Sequence, residues 1–251
     1  MVIPRLRSPI VLVHGLFGFN KLRLAGLTFA RYFPGIPEFL TEPGNRVLVP
    51  ELSPTNGIAA RAAQLKAFID KEVPSEPVHV LAHSMGGLDS RYMIAQLGMA
   101  DRILSLTTIG TPHRGSTFAD WGIRRLERLI KPVFELFDFP HQAFYDLTTA
   151  KCRAFNEQNP DAPGVQYHSV AGRHPNTGWR GRMQLLHQFV HQTEGPNDGI
   201  VSLESARWGT DCDLWDGDHM SLVNWPDPAG FTVDRKPHYA RILGRLADGG
   251  F

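Results

Sequence analysis

Cysteine is scarce in this chain: Cys152 and Cys212 are its only two, which excludes a small fold stapled by several disulfides. Two free, buried thiols are expected ahead of a single bridge. An excess of one charge sign is missing as well. The chain has 26 basic and 25 acidic residues, a formal net charge of +1, whereas a nucleic-acid binder shows a basic excess or a clustered basic stripe. No nucleic-acid partner is expected. Long apolar runs are also lacking. The cleanest stretches, such as Pro9–Val13, are strand-sized, far below the ~20 residues that cross a bilayer. The opening Met-Val-Ile-Pro-Arg-Leu-Arg leads into such a stretch without the charged, apolar and cleavage regions of a secretory leader. A cytoplasmic protein is expected for the chain as it stands, with secretion the alternative if a leader has been removed. There is no internal repeat and no low-complexity linker. With 42% hydrophobic and 20% charged residues in 251 positions, the composition is globular and not that of a disordered chain.

Strand and helix patterns alternate from the start, which predicts a mostly parallel sheet covered by helices on both faces. Pro9–Val13, Arg46–Val49, Val78–Ala82, Ile103–Ile109 and Val165–Ala171 read as strands. Ala59–Val73 reads as a helix with Ala59, Ala63, Leu65, Phe68 and Ile69 toward the core and Arg61, Lys66 and Lys71 outside. Gly86–Leu97 and Tyr239–Leu246 read as further helices. Two segments interrupt the alternation. Phe118–Phe144 carries an apolar helical stripe opposite four basic residues, with Pro132 placed to kink it or to start a second helix. Arg173–Gly199, rich in Gly, Pro, Asn, His and Arg, reads as a long surface loop. One domain spanning residues 1–251 is the economical reading.

Chemistry is concentrated at Val78-His79-Val80-Leu81-Ala82-His83-Ser84-Met85-Gly86-Gly87. An apolar strand runs into a serine flanked two positions away by small residues, and a helix follows. Such a turn needs small neighbours because strand and helix nearly collide, and it lifts the serine hydroxyl to the top of the sheet. The helix N-terminus behind it favours developing negative charge. A serine hydroxyl is a poor nucleophile without a base, and the base must be oriented by a third group. In a fold of this kind the acid and then the histidine follow the serine along the chain. Asp198, in Asn197-Asp198-Gly199, lies 114 residues after Ser84, and His219 lies 21 residues after Asp198. Asp216 and Asp218 compete for the acid role but sit so close to His219 in sequence that they read as loop carboxylates. Two backbone amides should face the oxyanion, Met85 after the nucleophile and Leu16 in the glycine-containing loop after the first strand.

Val11-Leu12-Val13-His14-Gly15-Leu16-Phe17-Gly18-Phe19 resembles the oxyanion segment of the bacterial true lipases of family I, the Pseudomonas–Burkholderia type. Gly35-Ile36-Pro37, Ala82–Gly87, Ile109–Ser116, Asn197-Asp198-Gly199 and His219–Asn224 recur there in the same order. The resemblance implies an α/β-hydrolase fold, carboxylester hydrolysis, and a triad of Ser84, Asp198 and His219. It also implies a helical lid after the Thr-Pro-His-Arg-Gly segment, about residues 117–146. Phe17, Trp121, Leu126, Leu129, Ile130, Val133 and Phe134 would form the substrate and lid surface, able to meet a lipid interface. That family binds calcium through a carboxylate two residues past its catalytic histidine and a glutamine further on, where this chain has Ser221 and Trp225. Glu204 stands where the family places a disulfide cysteine.

No metal and no cofactor are therefore expected. His187 and His191 have a zinc-compatible spacing but lack the accompanying glutamate and any evident further ligand. His113, which precedes the acid, reads as a structural hydrogen-bonder, and Trp208, Trp215 and Trp225 as packing residues. The expected activity is hydrolysis of acylglycerols or other fatty-acyl esters through an acyl-enzyme. The alternatives are the same machinery working on short esters, thioesters or polyesters, and a non-catalytic hydrolase-fold binding protein. The last is disfavoured because all the catalytic parts have candidates.

Overall fold

The computed structural model describes residues 3–16, 21–24, 27–129, 142–175, 182–226 and 233–251. Strands β1 (Ile10–Val13), β4 (Val47–Leu48), β5 (Val78–His83), β6 (Ile103–Ile109), β7 (Gln166–Arg173) and β8 (Asp211–Asp216) form one sheet in the order β4-β1-β5-β6-β7-β8. Every neighbouring pair in it is parallel. Strands β2 (Lys21–Leu24) and β3 (Leu27–Arg31) make a separate antiparallel hairpin. This is the α/β-hydrolase architecture read from the sequence, and the predicted strands lie within a residue or two of the observed ones. The hairpin and β8, neither expected, are additions.

Central strands are buried on both faces, so their side chains alternate between two apolar layers. Ile10 and Leu12 of β1 point into one layer with Leu81, Ile109 and Val170, against helices α1 (Ile36–Thr41) and α9 (Lys236–Asp248). Val11 and Val13 point into the other with Val80, Ala82 and Leu106, against α2 (Ile58–Glu72) and α3 (Met85–Gln96). All four side chains of β1 are fully buried, each contributing about 1.5–3 kcal/mol of transfer free energy. The strands are thus held from both sides, and their C-terminal ends become fixed points on which a site can be built.

Two expectations need correction. On α2 the buried face is Ile58, Arg61, Ala62, Leu65 and Ile69, while Ala59 and Ala63 are exposed. Arg61 is inside because Asp89 of α3 meets it: Nε donates to Asp89 Oδ2 at 2.7 Å with both side chains fully buried. Arg173–Gly199 is not all loop, since α7 (Arg182–Glu194) forms within it and packs against α4 (Thr117–Leu129). Phe189 on that helix stacks against Trp121 at 6.2 Å between ring centroids. Phe189 and Val190 face inward on it while Leu185 is exposed, an apolar face too short to show among the surrounding polar residues.

Both cysteines are free; Cys152 is buried but Cys212 is exposed, because it lies on β8, the edge strand of the sheet. Among the described residues the further α-helices are α5 (Gln142–Asp146), α6 (Thr149–Gln158) and α8 (Leu203–Ala206). Pro132 lies outside the described residues. Among the described residues no helix is long and apolar enough to cross a membrane.

Candidate active site

Ser84 sits between the end of β5 and the start of α3, with φ 54° and ψ −132°. A non-glycine residue in that region carries a strain of about 1–3 kcal/mol and persists only where its surroundings hold it. Here they do. Ser84 N donates to Ile109 O at 2.9 Å, and its carbonyl accepts from Thr111 Oγ1 at 2.7 Å and from Gly87 N at 3.1 Å. The small residues of the turn have a measurable reason. A Cβ on Gly86 would lie 2.8 Å from the His14 carbonyl, and one on Gly15 would lie 2.7 Å from Ser84 Cβ.

The candidate acid and histidine come from later loops, Asp198 from the one after α7 and His219 from the one after β8. Asp198 is buried, and its Oδ1 accepts from Ile200 N at 3.1 Å and from Val201 N at 2.8 Å. Its Oδ2 accepts from His219 Nδ1 at 2.7 Å. His219 N also donates to the Asp198 carbonyl at 2.9 Å. This places the imidazole proton on Nδ1 and leaves Nε2 as the nitrogen able to take one up. Ser84 and His219 line the same cavity, about 550 Å³ in volume. The rest of its wall is largely apolar: Leu16, Phe118, Ala119, Phe144, Leu147 and Trp225 among others. Asp218 also lines it, but its Oδ1 caps Ser221 N at 2.6 Å, and Asp216 is an exposed partner of Arg173.

The loop after β1 is pinned from below. His14 Nδ1 donates to Gly15 O at 2.9 Å while its Nε2 accepts from Leu52 N at 3.1 Å. Arg61 Nη2 donates to the His14 carbonyl at 2.7 Å. Burial lowers the His14 pKa to about 4, so the ring is neutral at neutral pH. Leu16, next along this loop, faces the cavity. Met85 opens α3, where the first amides of a helix have no intrahelical acceptor.

Phe17, Ile130, Val133 and Phe134 lie outside the described residues, as do the side chains of Leu126 and Leu129. Trp121 is 37% exposed, with its ring stacked on Phe118 at 6.5 Å between centroids. Its neighbours Phe118 and Ala119 are the ones that line the cavity. His113 is a buried hydrogen-bonder whose Nε2 pairs with Thr108 Oγ1 at 2.9 Å and whose ring stacks on Trp208. Trp225 lines the cavity as well as packing, with Nε1 donating to the Tyr32 carbonyl at 2.9 Å.

Sequence reasoning passed over Tyr32 and His83. The second of these adjoins Ser84, and its place in the strand-to-helix turn was the available signal.

The surroundings of Ser221 do not fit a calcium ion. The guanidinium of Arg235, buried to 1%, donates from Nε to Ser221 O at 3.0 Å and from Nη2 to Asp216 O. A cation is therefore already built into that loop. Among the described residues no group of three or more metal-ligating side chains is assembled, at His187 and His191 or elsewhere.

A model of the alpha/beta hydrolase family matches residues 10–236, and the chain belongs to that family. Triacylglycerol lipase 2 of Saccharomyces cerevisiae is 31% identical over 304 aligned positions, covering 98% of this chain and 93% of the yeast protein. A triacylglycerol lipase of Vibrio cholerae is 42% identical over 117 positions, which span 45% of this chain and 35% of that protein. Among solved structures, the mature Bacillus licheniformis lipase BlEst2 aligns with a TM-score of 0.73 at 22% identity, covering 97% of this chain and 95% of that one. That last similarity is one of fold.

Proposed function

We propose that the protein is a lipase-like serine carboxylester hydrolase acting on fatty-acyl esters, acylglycerols included. The observation that carries this reading is the apolar cavity into which Ser84 and the Asp198-bound His219 both open. Ser84 Oγ attacks the ester carbonyl as His219 Nε2 takes its proton, and Asp198 stabilises the resulting imidazolium. The amides of Leu16 and Met85 receive the oxyanion. Collapse of the tetrahedral intermediate breaks the C–O bond, and the alcohol leaves with the proton from His219. Water, deprotonated by His219, then releases the fatty acid and restores Ser84. The cycle is complete with the protein's own groups and calls on no cofactor.

We read the chain as one domain, because the strands of the sheet come from both halves of the sequence. The segment about 117–146 is the lid, contributing Phe118 and Ala119 to the cavity wall and meeting a lipid surface from outside. The finer kinship, to the bacterial true lipases, is supported by the ordered motifs from Val11–Phe19 to His219–Asn224.

Initial rates on p-nitrophenyl esters from acetate to palmitate, with Ser84→Ala alongside, test the proposal. Preference for longer chains, lost in the variant, is expected. Short-chain preference lost in the variant would make the protein an esterase with the same triad. Undiminished activity in Ser84→Ala would remove the mechanism.

A further inference from the structure

The floor of the site contains a second set of buried polar groups that the reaction cycle does not use. Tyr32 Oη accepts from Gly15 N at 3.0 Å and lies 2.7 Å from His83 Nδ1. On its other side, His83 Nε2 lies 3.0 Å from the carbonyl of His219. Both side chains are buried. The carbonyl can only accept, so Nε2 carries the proton, Nδ1 accepts, and the Tyr32 hydroxyl donates to it. One directional chain results: Gly15 N–H to Tyr32 Oη, Tyr32 O–H to His83 Nδ1, His83 Nε2–H to His219 O. Each donor and acceptor in it is satisfied once, so no alternative hydrogen arrangement competes.

The three groups it joins belong to three separate segments, the loop after β1, the end of β5 and the loop after β8. Gly15 precedes Leu16 in the loop after β1, His83 precedes Ser84, and the last acceptor is the backbone of His219 itself. Burial holds the His83 ring neutral, its pKa well below the usual 6.5, and pushes the Tyr32 phenol up from 10.0. The protonation pattern therefore stays fixed while the enzyme works. The arrangement is also clamped from outside, since Trp225 Nε1 donates to the Tyr32 carbonyl at 2.9 Å and Asn224 Nδ2 to the Pro34 carbonyl at 2.8 Å.

We propose that Tyr32 and His83 are positioning residues that set the distance between the oxyanion loop, the nucleophile and the catalytic histidine through this hydrogen-bond chain. Because it links sites that must agree within a fraction of an ångström, breaking it lowers turnover with little change in ester binding. The inference rests on the triad reading given above.

The test is a double-mutant cycle on p-nitrophenyl butyrate hydrolysis, using Tyr32→Phe, His83→Asn and their combination, with thermal melts to confirm folding. Tyr32→Phe removes one oxygen and keeps the ring, so it is the variant expected to fold without change. His83→Asn retains an acceptor near Nδ1 but does not reach the His219 carbonyl. Each single variant is expected to lower kcat roughly tenfold, the usual scale of a lost buried hydrogen bond, with KM within about twofold. The double variant should fall only slightly below the worse single one, because both break the same chain. Wild-type kcat in Tyr32→Phe would overturn the proposal, and so would losses that multiply in the double variant. Ser84→Ala in the same assay separates the two readings. If it keeps wild-type activity, the triad assignment has failed; if it is inactive and Tyr32→Phe is unaffected, only the positioning role has.

Discussion

The floor of the site and the helical wall beside it are built by different means. On the floor, Gly15, His83, His219 and Asp198 are joined, by way of Tyr32, through hydrogen bonds of 2.7–3.0 Å, and Ser84 is held by its own bonds to Ile109 and Thr111. The wall formed by α4 and α5 presents Phe118, Ala119 and Phe144 to the cavity, and its outer side leaves Trp121 partly exposed against Phe189 of α7. Directional bonds fix the atoms proposed to react, whereas non-directional apolar contact is enough where the proposed task is to hold an acyl chain. A reacting oxygen tolerates little displacement; a hydrocarbon chain tolerates much.

That contrast can be broken most severely at Asp198, the proposed acid. Asp198→Asn should lower kcat on p-nitrophenyl butyrate by about 10³–10⁴-fold with KM little changed, since the amide holds the wrong imidazole tautomer. A loss of less than tenfold would mean that another carboxylate serves His219.

Next comes the crowding at the elbow. Gly86→Ala places a methyl 2.8 Å from the His14 carbonyl and 3.0 Å from the Val13 carbonyl, neither of which can move without shifting β1. A destabilisation of about 1–3 kcal/mol is expected from urea unfolding, with activity falling alongside.

Acid sharpens the contrast from the side of protonation. Burial lowers His14 and His79 to about 4, and His83 and His113 well below their ordinary 6.5. Between pH 6.5 and about 4 the unfolded chain therefore binds protons that the native one does not. Their contribution to stability is fully present above pH 6.5 and is lost as the pH falls through that window. Urea midpoints followed from pH 7 to 4 should show a loss of at least about 2 kcal/mol. A flat profile would mean that these rings can charge inside the fold.

The smallest effect belongs to the wall. Trp121→Ala should leave stability within about 0.5 kcal/mol and alter rates on long-chain esters more than on acetate. An equal loss on every ester would mean that this helix orders the catalytic floor.

Several of these features were legible in the residues. The buried strands announced themselves as apolar runs, and the turn at Ser84 by small residues packed around a serine between strand and helix patterns. Chain order and a glycine turn singled out Asp198 and His219, which the fold pairs at 2.7 Å. By contrast, α7 was hidden because its apolar positions are diluted by His, Gln and Arg. Arg61 read as solvent-facing because its partner Asp89 is 28 residues away.

Local sequence determined the central strands and their neighbouring helices, the elbow and the chemical types gathered near it, since periodicity and turn chemistry are short-range properties. Tertiary structure alone decided which buried polar groups meet. Nothing near Tyr32 in the chain specifies that its hydroxyl bridges Gly15 and His83, 17 residues before it and 51 after it. Hydrogen bonds across such separations depend on where the sheet brings its strand ends together, and that is fixed by the packing of both apolar layers at once.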